Sequence, residues 1–511
     1  MEPISVVWFK RDLRLSDHPP LAAAIKAGRP ILMVFAFEPA LVESPESDVR
    51  HWRFAWQSVT EICKRLSQNG HRLYICNRNF PEVLREITGH FELKGLYSHQ
   101  ETGLRVSFDR DKEVKRICRK WGIPWHEWRQ DGVIRGKQTR NGWWESWKAD
   151  MQAPLVTPDL DQMTSVTVSD SLAQKIAGPQ IPEEWQQQNP SFQPGGESFA
   201  RRYFSSFVTD RAVGYTRSLS KPIASRKGCS RLSPYFAYGC ISVREVYQKT
   251  QNTSEFLPFD REFIRFHERL WWRSHYIQKL ETEYQIESEP INHGMKALKR
   301  PYNPQIFKAF TEGMTGYPLV DACIRCLHQN GYQNFRMRAM LATFATFILW
   351  QPMVEVSQFL AKVFLDYEPG LHYAQHQMQA GLSGYHPLRI FSPIIQAKRH
   401  DPEGTFIKQY IPELALVPPA QVATPWNLSP LEQQLYNFRI GLDYPVPIVP
   451  YEEATRKARD QYWEVRTTKA VQEYLPVLWE RHCMPQDREK YLQKYEANKV
   501  KAFSACNPSP R

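Results

Sequence analysis

The first 130 residues alternate short apolar runs with amphipathic stretches. The apolar runs have the length of strands, and the stretches between them repeat their apolar positions at helical spacing. Strands that alternate with helices predict an α/β domain over residues 1–130, built on a doubly wound, Rossmann-like parallel sheet. The predicted strands are residues 5–9, 31–37, 72–76, 95–98 and 125–128, and the predicted helices lie near residues 52–66, 81–87 and 107–121.

Two changes of pattern divide the rest of the chain. Residues 131–195 are polar and punctuated by proline, which is typical of a long surface connection between domains. Trp143, Trp144 and Trp147 are predicted to pin the start of this linker to the sheet domain. Residues 196–492 show helical periodicity throughout and predict an all-helical domain, and residues 493–511 form a polar tail.

Composition and charge narrow the range of partners. Of 511 residues, 42% are hydrophobic, which is ample for packed cores, and the formal net charge is +12. A basic balance favours a polyanionic partner, because Lys and Arg that neutralise phosphates release counterions. The nine scattered cysteines and the lack of a secretory leader predict a cytoplasmic protein with reduced thiols. Nothing indicates an oligomer, and we expect a monomer.

Several other kinds of protein are disfavoured. No GxGxxG follows the first predicted strand and no GxxxxGK[ST] occurs, which argues against nicotinamide enzymes and P-loop nucleotidases. The one CxxC pair, Cys323 and Cys326, lies in a helical apolar pattern and is assigned to core packing, so no metal site is predicted. The apolar run at 341–364 contains Glu355 and Lys362, which predicts a buried helix and not a membrane span.

Residues 334–396 concentrate the side chains that could bind a cofactor. Arg336 and Arg338 precede the apolar run, and Asp366 and Glu368 follow it, so folding of that run would set cations beside anions. Two histidines four positions apart come next. Fixed charges of both signs among apolar and aromatic neighbours are what a large polar cofactor requires.

An upstream segment, GCSRLSPYF at residues 228–236, has the features of a phosphate-binding helix start. Ser230 or Ser233 is predicted to cap a helix whose first turn holds Pro234. Free backbone amides, hydroxyl groups and Arg231 would then face an anion.

A second upstream segment, residues 267–276, is predicted to be a helix with one mixed face. Arg269, Trp272, Arg273 and Tyr276 share that face at helical spacing. Two cations interleaved with two aromatic rings suit phosphate and stacking contacts.

These motifs resemble those of the cryptochrome/photolyase family. VVWFKRDLRLSDH at 6–18, the SRLSPY segment, NFRMR at 334–338 and DYEPGLHYAQHQMQ at 366–379 agree with that family in order and spacing over nearly the whole chain. The resemblance implies an antenna domain, a linker and a helical domain that binds FAD. It implies that a reduced FAD, excited by blue light, splits pyrimidine dimers in damaged DNA, double- or single-stranded, by electron transfer. A second antenna chromophore, a folate or deazaflavin, is also implied.

The resemblance assigns site residues by motif. Gln100 and Glu101 stand where the family's antenna-binding acid is found, and Arg338 with Asp366 matches a buried ion pair of fork geometry. His372, His376, Trp272 and Arg269 match positions beside the flavin and the lesion. The implied FAD contacts are Tyr215, Cys229, Ser230, Arg231, Leu232, Ser233, Phe266, Arg273, Arg338, Asp366, Glu368 and His372. The implied DNA contacts are Arg269, Trp272, Arg336, Met378, Arg389 and Gln396.

Three of these positions hold unusual residues. Arg269 stands where dimer photolyases usually carry a glutamate that hydrogen-bonds the lesion, and an arginine has no acceptor atom. His372 stands where an asparagine or aspartate usually faces flavin N5, and a histidine there could change which redox state is stable. Met378 replaces a second tryptophan that contacts the lesion.

The family's electron relay of three tryptophans is also missing. Its positions fall on His376, Met353 and a residue near Arg300. The segment that bears histidine in (6-4) photolyases aligns with residues 333–335, which hold none, and the four-cysteine iron–sulfur pattern of another branch is absent. Candidates for an alternative path are Trp271, Trp350, Tyr367 and Tyr373.

We therefore predict an FAD-dependent blue-light photolyase that repairs pyrimidine dimers. The prediction depends on the basic charge and on the retained DNA- and flavin-facing residues. The alternative is a cryptochrome-type blue-light receptor that binds FAD without repairing DNA, which the altered pocket residues favour. A light-independent flavin- or nucleic-acid-binding protein is the third alternative.

Overall fold

A five-stranded parallel sheet forms the amino-terminal domain of the computed structural model, which describes residues 1–251 and 260–506. The strands are β1 (Pro3–Phe9), β2 (Ile31–Ala36), β3 (Leu73–Cys76), β4 (Glu92–His99) and β5 (Trp125–Trp128). Their order is β3-β2-β1-β4-β5 and every neighbouring pair is parallel, which confirms the predicted doubly wound sheet. In β1, Val6 and Trp8 enter one core while Val7 and Phe9 enter the other, because the sheet is covered on both faces.

Five helices accompany these strands. The first two were not predicted, because both are short apolar runs without a polar face. The first begins with Pro19 and Pro20 in its first turn, and His18 Nδ1 accepts a hydrogen bond from the Leu21 amide. These helices are α1 (Pro19–Lys26), α2 (Pro39–Val42), α3 (Val49–Ser67), α4 (Phe80–Thr88) and α5 (Arg105–Trp121).

The linker segment carries three short helices and follows the protein surface. They are α6 (Trp143–Gln152), α7 (Asp170–Ala177) and α8 (Glu183–Gln186). Trp143 and Trp147 lie in the core that also contains Val7 and Phe9 of β1, in line with the predicted anchoring to the sheet domain. The three tryptophans contact the helical domain as well, which the sequence did not predict. Trp143 Nε1 donates to Gln278 Oε1 at 3.1 Å, and the Trp144 ring lies 5.7 Å from that of Trp271.

The carboxyl-terminal domain is helical, as predicted. It has a core of its own, built around buried residues such as Leu341 and Phe364. Its helices are α9 (Glu197–Ser206), α10 (Tyr215–Ser218), α11 (Ser225–Gly228), α12 (Ser233–Ala237), α13 (Val243–Gln251), α14 (Asp260–Thr282), α15 (Pro304–Glu312), α16 (Pro318–Asn330), α17 (Phe335–Thr343), α18 (Met353–Val363), α19 (Pro369–Gln379), α20 (Pro393–His400), α21 (Thr405–Tyr410), α22 (Pro430–Leu435), α23 (Tyr451–Arg466), α24 (Lys469–His482) and α25 (Pro485–Cys506).

The apolar run at 341–364 is buried, as predicted, but it is not one helix. It comprises the end of α17, a π-helical turn at Phe344–Ile348 and all of α18. The chain bends between the two helices at Trp350, whose φ is +53°, just before Pro352. This bend turns α18 back and returns Asp366 to the side of α17.

The last helix is longer than the sequence predicts. Helix α25 continues past residue 492, across the boundary predicted for the polar tail. None of the helices in the described ranges is long and apolar enough to cross a bilayer.

The two domains meet at the segment that follows β1. The Leu13 amide donates to the Tyr238 carbonyl at 3.0 Å, and Arg14 Nη1 donates to the Gly239 carbonyl at 2.9 Å. Gly239 has a φ of +66°, and a Cβ there would lie 2.1 Å from the Arg11 carbonyl oxygen. Only glycine permits this close approach, which places Arg11 next to the helical domain.

Candidate functional site

A cavity of about 480 Å³ opens in the helical domain between α12, α14, α17 and α19. Every residue that the sequence assigned to FAD contacts lines it, namely Tyr215, Cys229, Ser230, Arg231, Leu232, Ser233, Phe266, Arg273, Arg338, Asp366, Glu368 and His372. So do Arg269, Trp272, His376, Met378 and Arg389. Residues separated by up to 174 positions in sequence are thus brought to one cavity, although their individual roles stay predictions.

An ion pair between α17 and the start of α19 lies beside the cavity. Arg338 Nη2 is 2.7 Å from both carboxylate oxygens of Asp366, and Arg338 Nε donates to the Gln333 carbonyl at 2.9 Å. The predicted pair is present, but a single nitrogen, Nη2, contacts both oxygens, so the geometry differs from the expected fork. The Asp366 side chain is only 7% exposed, so the pair is largely shielded from water.

A second ion network connects the cavity to the sheet domain. Glu368 accepts hydrogen bonds from Arg273 at 2.8 Å and from Arg11 at 3.3 Å. Arg273 also lies 2.8 Å from Asp131 of the linker. Burial raises the pKa of Glu368, while the two arginines favour its ionised form. Glu368 is therefore held in place by both domains.

The SRLSPY segment approaches the cavity without the predicted cap. Helix α12 begins after Leu232, and no side chain caps it, so the prediction of a Ser230 or Ser233 cap is wrong. Ser230 Oγ instead accepts from the Leu232 amide at 3.4 Å, within the loop. Pro234 does lie in the first turn, as predicted. The amides at this helix start are therefore not covered by a capping side chain.

Arg231 is the cation of this loop and is held in an unusual backbone conformation. Its φ is +61°, and its guanidinium lies 3.7 Å above the centre of the Tyr332 ring. Nη2 donates to Gln193 Oε1 at 2.6 Å, whereas Nε has no hydrogen-bond partner in the described chain. Burial lowers the pKa of Arg231. No carboxylate among the described residues pairs with it, so the loop presents an uncompensated positive charge.

His372 and His376 face each other on α19, with ring centres 4.0 Å apart. His372 Nε2 lies 2.8 Å from the Ser357 carbonyl oxygen, which can only accept, so Nε2 carries the ring proton. Burial lowers the pKa of His372 to about 4 and holds that of His376 well below its usual value. Both rings are therefore neutral at pH 7, and Nδ1 of His372 is left as an acceptor.

Three arginines lie near one another beside the cavity, and two of them, Arg269 and Arg389, line it. Burial and the nearby charges of Arg389 and Arg269 lower the pKa of Arg336. The Arg336 guanidinium lies 5.0 Å from the ring of Phe391, and that of Arg269 lies 6.0 Å from Phe335. Within the described ranges no carboxylate forms an ion pair with any of these arginines. We call Arg269, Arg336 and Arg389 the arginine rim.

Two of the predicted DNA contacts, Arg336 and Gln396, do not line the cavity. Gln396 lines a neighbouring groove of about 740 Å³ between α20 and α23, together with Phe391 and Arg399. Its Oε1 is buried and has no partner in the described chain. The groove continues the surface of the arginine rim, because Phe391 contacts both.

The predicted antenna residues lie between the domains. Gln100 and Glu101 line a crevice of only about 30 Å³, and Glu101 is paired with Arg110 at 2.6 Å. Glu101 also lines a larger cavity of about 120 Å³ above the strand ends, walled by aromatic residues that include Trp52 and Tyr238.

One cluster has the composition of a metal site. Asp12 Oδ2 lies 3.1 Å from His18 Nε2 and 2.7 Å from His99 Nδ1. His18 Nδ1 accepts from the Leu21 amide, so its proton lies on Nε2 and is donated to Asp12. Although burial opposes ionisation, these histidine hydrogen bonds hold the pKa of Asp12 well below its usual value. Both His18 nitrogens are engaged, which argues for a hydrogen-bonded junction and against a metal ion.

FAD fits the large cavity by size and by charge. Small-molecule sites occupy roughly 300–1,000 Å³, and the cavity lies in that range. The unpartnered Nε of Arg231, beside free helix-start amides, suits a diphosphate. The ion pair of Arg338 with Asp366, among apolar neighbours such as Ala339 and Phe364, suits a flavin edge with donors and acceptors.

Several cavity features escaped the sequence analysis. Tyr332, which supports Arg231, was passed over because a lone tyrosine in a loop carries no motif. Arg11 was read only as part of a family motif, although it reaches Glu368 across the domain junction. Asp131 was assigned to the linker, although it pairs with Arg273. Only contacts between distant segments reveal these roles.

Comparisons with known proteins agree with this geometry. Residues 5–143 match the model of the DNA photolyase family, and residues 266–464 match the FAD-binding domain of DNA photolyase. The chain is 28% identical to a deoxyribodipyrimidine photo-lyase of Alkalihalophilus pseudofirmus over 89% of this chain and 97% of that protein. It is 26% identical to a cryptochrome DASH of Synechocystis, over 89% and 97%. A class III photolyase structure from Agrobacterium tumefaciens superposes with a TM-score of 0.80 at 24% identity, covering 92% and 98%.

Proposed function

This chain belongs to the cryptochrome/photolyase family, and from that premise we propose that it is an FAD-dependent blue-light photolyase that repairs pyrimidine dimers in DNA. The arginine rim is the observation that supports this most. The described residues give these three arginines no carboxylate partner, and two of the three line the cofactor-sized cavity. On a chain of net charge +12 they suit a phosphate backbone with one lesion turned toward the cavity.

The bound flavin would supply the light-driven electron that splits the dimer. The residues of the cavity would hold and orient that group. Arg231 would hold the diphosphate, and Asp366, fixed by Arg338, would accept hydrogen bonds from the flavin edge. The neutral His372 offers Nδ1 as an acceptor and has no proton to give, because its Nε2 proton is engaged with Ser357. A ring N–H of a reduced flavin is the partner that such an acceptor favours.

The lesion would be held differently from the family's usual way. The carboxylates that line the described cavity are Asp366 and Glu368, and both are already ion-paired. Arg269 and Trp272 remain for the lesion. An arginine can donate to the carbonyl oxygens of a pyrimidine pair, and an indole can stack on its rings.

We also propose that a second chromophore binds above the strand ends, with one ring in the 120 Å³ cavity and the rest outside it, since that volume is below the roughly 300–1,000 Å³ of a complete small-molecule site. The aromatic walls of this cavity suit a planar ring, and the carboxyl ends of parallel strands are where such sheets bind ligands. Glu101 lies between this cavity and the narrow crevice, which supports its assignment to the antenna.

The proposed function is tested by repair of an oligothymidine that contains cyclobutane dimers. The purified holoprotein is reduced, illuminated with blue light, and the recovery of thymine absorbance is followed. We expect recovery above a dark control. Absence of recovery, with reduced FAD bound, would contradict repair of this lesion.

We predict that Arg336→Ala and Arg389→Ala each weaken binding to damaged DNA. Each removes one unpaired phosphate partner, so the slope of log affinity against log salt should become shallower by about 1. The measurement is fluorescence anisotropy of labelled duplex at several salt concentrations. The control is Arg119→Ala, which removes an exposed arginine of α5 far from the cavity and should leave the slope unchanged. An unchanged slope in both rim variants would exclude the rim as the DNA surface.

A cryptochrome-type receptor is the second candidate. The observation that favours it is the absence of a free carboxylate among the described cavity residues, together with Arg269 and Met378 in the lesion positions. Such a protein would bind FAD and respond to light, yet fail the dimer-repair test above while retaining flavin.

A further inference from the structure

Three tryptophan rings form a continuous path from the FAD cavity to the protein surface. Trp272 lines the cavity. Its ring is stacked on that of Trp271, with centroids 4.5 Å apart and planes inclined by 21°. Trp271 in turn meets Trp144 of the linker edge-on at 5.7 Å. Trp144 is 37% exposed to solvent. Each pair lies within ordinary contact distance for aromatic rings.

The positions where the sequence analysis looked for a relay offer no such path. His376 and Met353 are buried and are not readily oxidised, and Arg300 lies over the rings of Phe347 and Trp350. Within the described chain, Trp350 makes a ring contact only with Phe347, so it does not connect to the cavity through oxidisable rings. Of the sequence candidates, Trp271 alone joins a stacked series of tryptophans.

We propose that Trp272, Trp271 and Trp144 conduct electrons from solvent to the photo-excited oxidised flavin, and that a small thiol in solution is the reductant. The proposal rests on the FAD-dependent function proposed above. An electron leaves Trp272 for the flavin, Trp271 refills Trp272, Trp144 refills Trp271, and a thiol refills Trp144. Two such passages take two electrons from two thiols, which join as one disulfide and release two protons. Two electrons, with two protons from solvent, would thus be delivered to the bound flavin.

The path explains the placement of α6. Trp143 and Trp144 of the linker helix contact α14, and Trp144 is the ring of this path that is most exposed to solvent. Adjacent residues on a helix normally point in different directions, so Trp271 and Trp272 are held in contact by their surroundings. Trp144 on one side and Tyr276, stacked on Trp272 at 5.6 Å, on the other provide those surroundings.

The test is the rate at which bound oxidised flavin bleaches in blue light with a thiol present. It uses the full-length holoprotein and compares wild type with Trp144→Phe and Trp271→Phe, since phenylalanine keeps the packing but is not oxidised. We expect both variants to bleach several-fold more slowly. Transient absorption should show a tryptophan radical that lasts longer in wild type than in Trp144→Phe. In the variant the oxidised site stays on Trp271 or Trp272, close to the flavin, and the electron returns to it sooner.

The matched control is Trp121→Phe, an exposed tryptophan at the end of α5 that lies outside this path. Its bleaching rate should equal that of wild type. Unchanged rates in Trp144→Phe and Trp271→Phe, equal slowing in Trp121→Phe, or no bleaching in wild type would overturn the relay.

A repair assay on chemically reduced protein distinguishes the relay from the photolyase activity, because chemical reduction of the flavin bypasses the relay. Trp144→Phe and Trp271→Phe should repair dimers at the wild-type rate once their flavin is reduced by dithionite. Normal bleaching without repair would contradict the photolyase assignment and leave the relay standing. If both variants repair dimers and bleach at the wild-type rate, the photolyase assignment stands and the relay is contradicted.

Discussion

Asp366→Asn is expected to release most of the FAD and to destabilise the helical domain by about 3 kcal/mol, the usual cost of leaving one member of a buried ion pair alone. Arg338 Nη2 contacts both oxygens of Asp366 at 2.7 Å. The asparagine removes the negative charge, so the Arg338 cation stays beside an apolar wall without a counter-charge. The cavity also loses a carboxylate acceptor for the flavin edge. Flavin content after gel filtration and urea unfolding measure the two effects.

The double variant Arg338→Gln/Asp366→Asn distinguishes the cost of an unpaired buried charge from the cost of changing the side chains. It removes both charges, so its loss of stability should be smaller than the sum of the two single losses. The control is Asp443→Asn, which breaks the exposed pair with Arg439 and should leave flavin content and unfolding unchanged. Full flavin retention by Asp366→Asn would show that this ion pair is not part of the cofactor site.

Acidification from pH 7 to pH 5 is expected to lower the free energy of unfolding by several kcal/mol. His51 and His372 each hold an Nε2 proton against a buried carbonyl, that of Phe364 at 2.9 Å and that of Ser357 at 2.8 Å. Burial lowers the pKa of both rings from 6.5 to about 4. Between these values the unfolded chain binds a proton that the folded chain does not, so stability is present above pH 6.5 and is lost as the pH falls toward 4. Each ring contributes about 2 kcal/mol of that loss by pH 5.

His51→Gln tests the assignment, because a glutamine amide can still donate to the Phe364 carbonyl but does not titrate. Its unfolding free energy should fall less between pH 7 and pH 5 than that of wild type. His126→Gln, on an exposed ring of β5, should leave the pH dependence unchanged. If urea titrations at the two pH values give the same loss in wild type and His51→Gln, the buried ring does not account for acid sensitivity.

The sheet domain could be predicted closely because its information is local. Each strand is a short apolar run between polar segments, and β5 was predicted with the bounds that the structure has. Helix α1 was missed because a short apolar helix and a short apolar strand have the same composition. The break between α17 and α18 was missed because the apolar run at 341–364 was judged only as one buried helix or a membrane span, and the effect of Pro352 on helix continuity was not considered.

Site residues could be predicted as a set but not in their contacts. The motifs from Tyr215 to His372 all reach one cavity, since their order and spacing are written in the chain. The engagement of Arg338 Nε by Gln333, and the lack of a cap on α12, depend on loop conformations that no spacing encodes.

The sequence by itself determined the alternation of strands and helices, the basic charge, the cofactor motifs and the unusual residues at Arg269, His372 and Met378. These are properties of residue type and spacing. Only the tertiary structure decided which charges are paired, which histidines are neutral, and that Trp144 meets Trp271. The reason is physical: pKa values, ion pairs and ring contacts depend on burial and on distances between segments far apart in the chain, and a linear pattern contains neither.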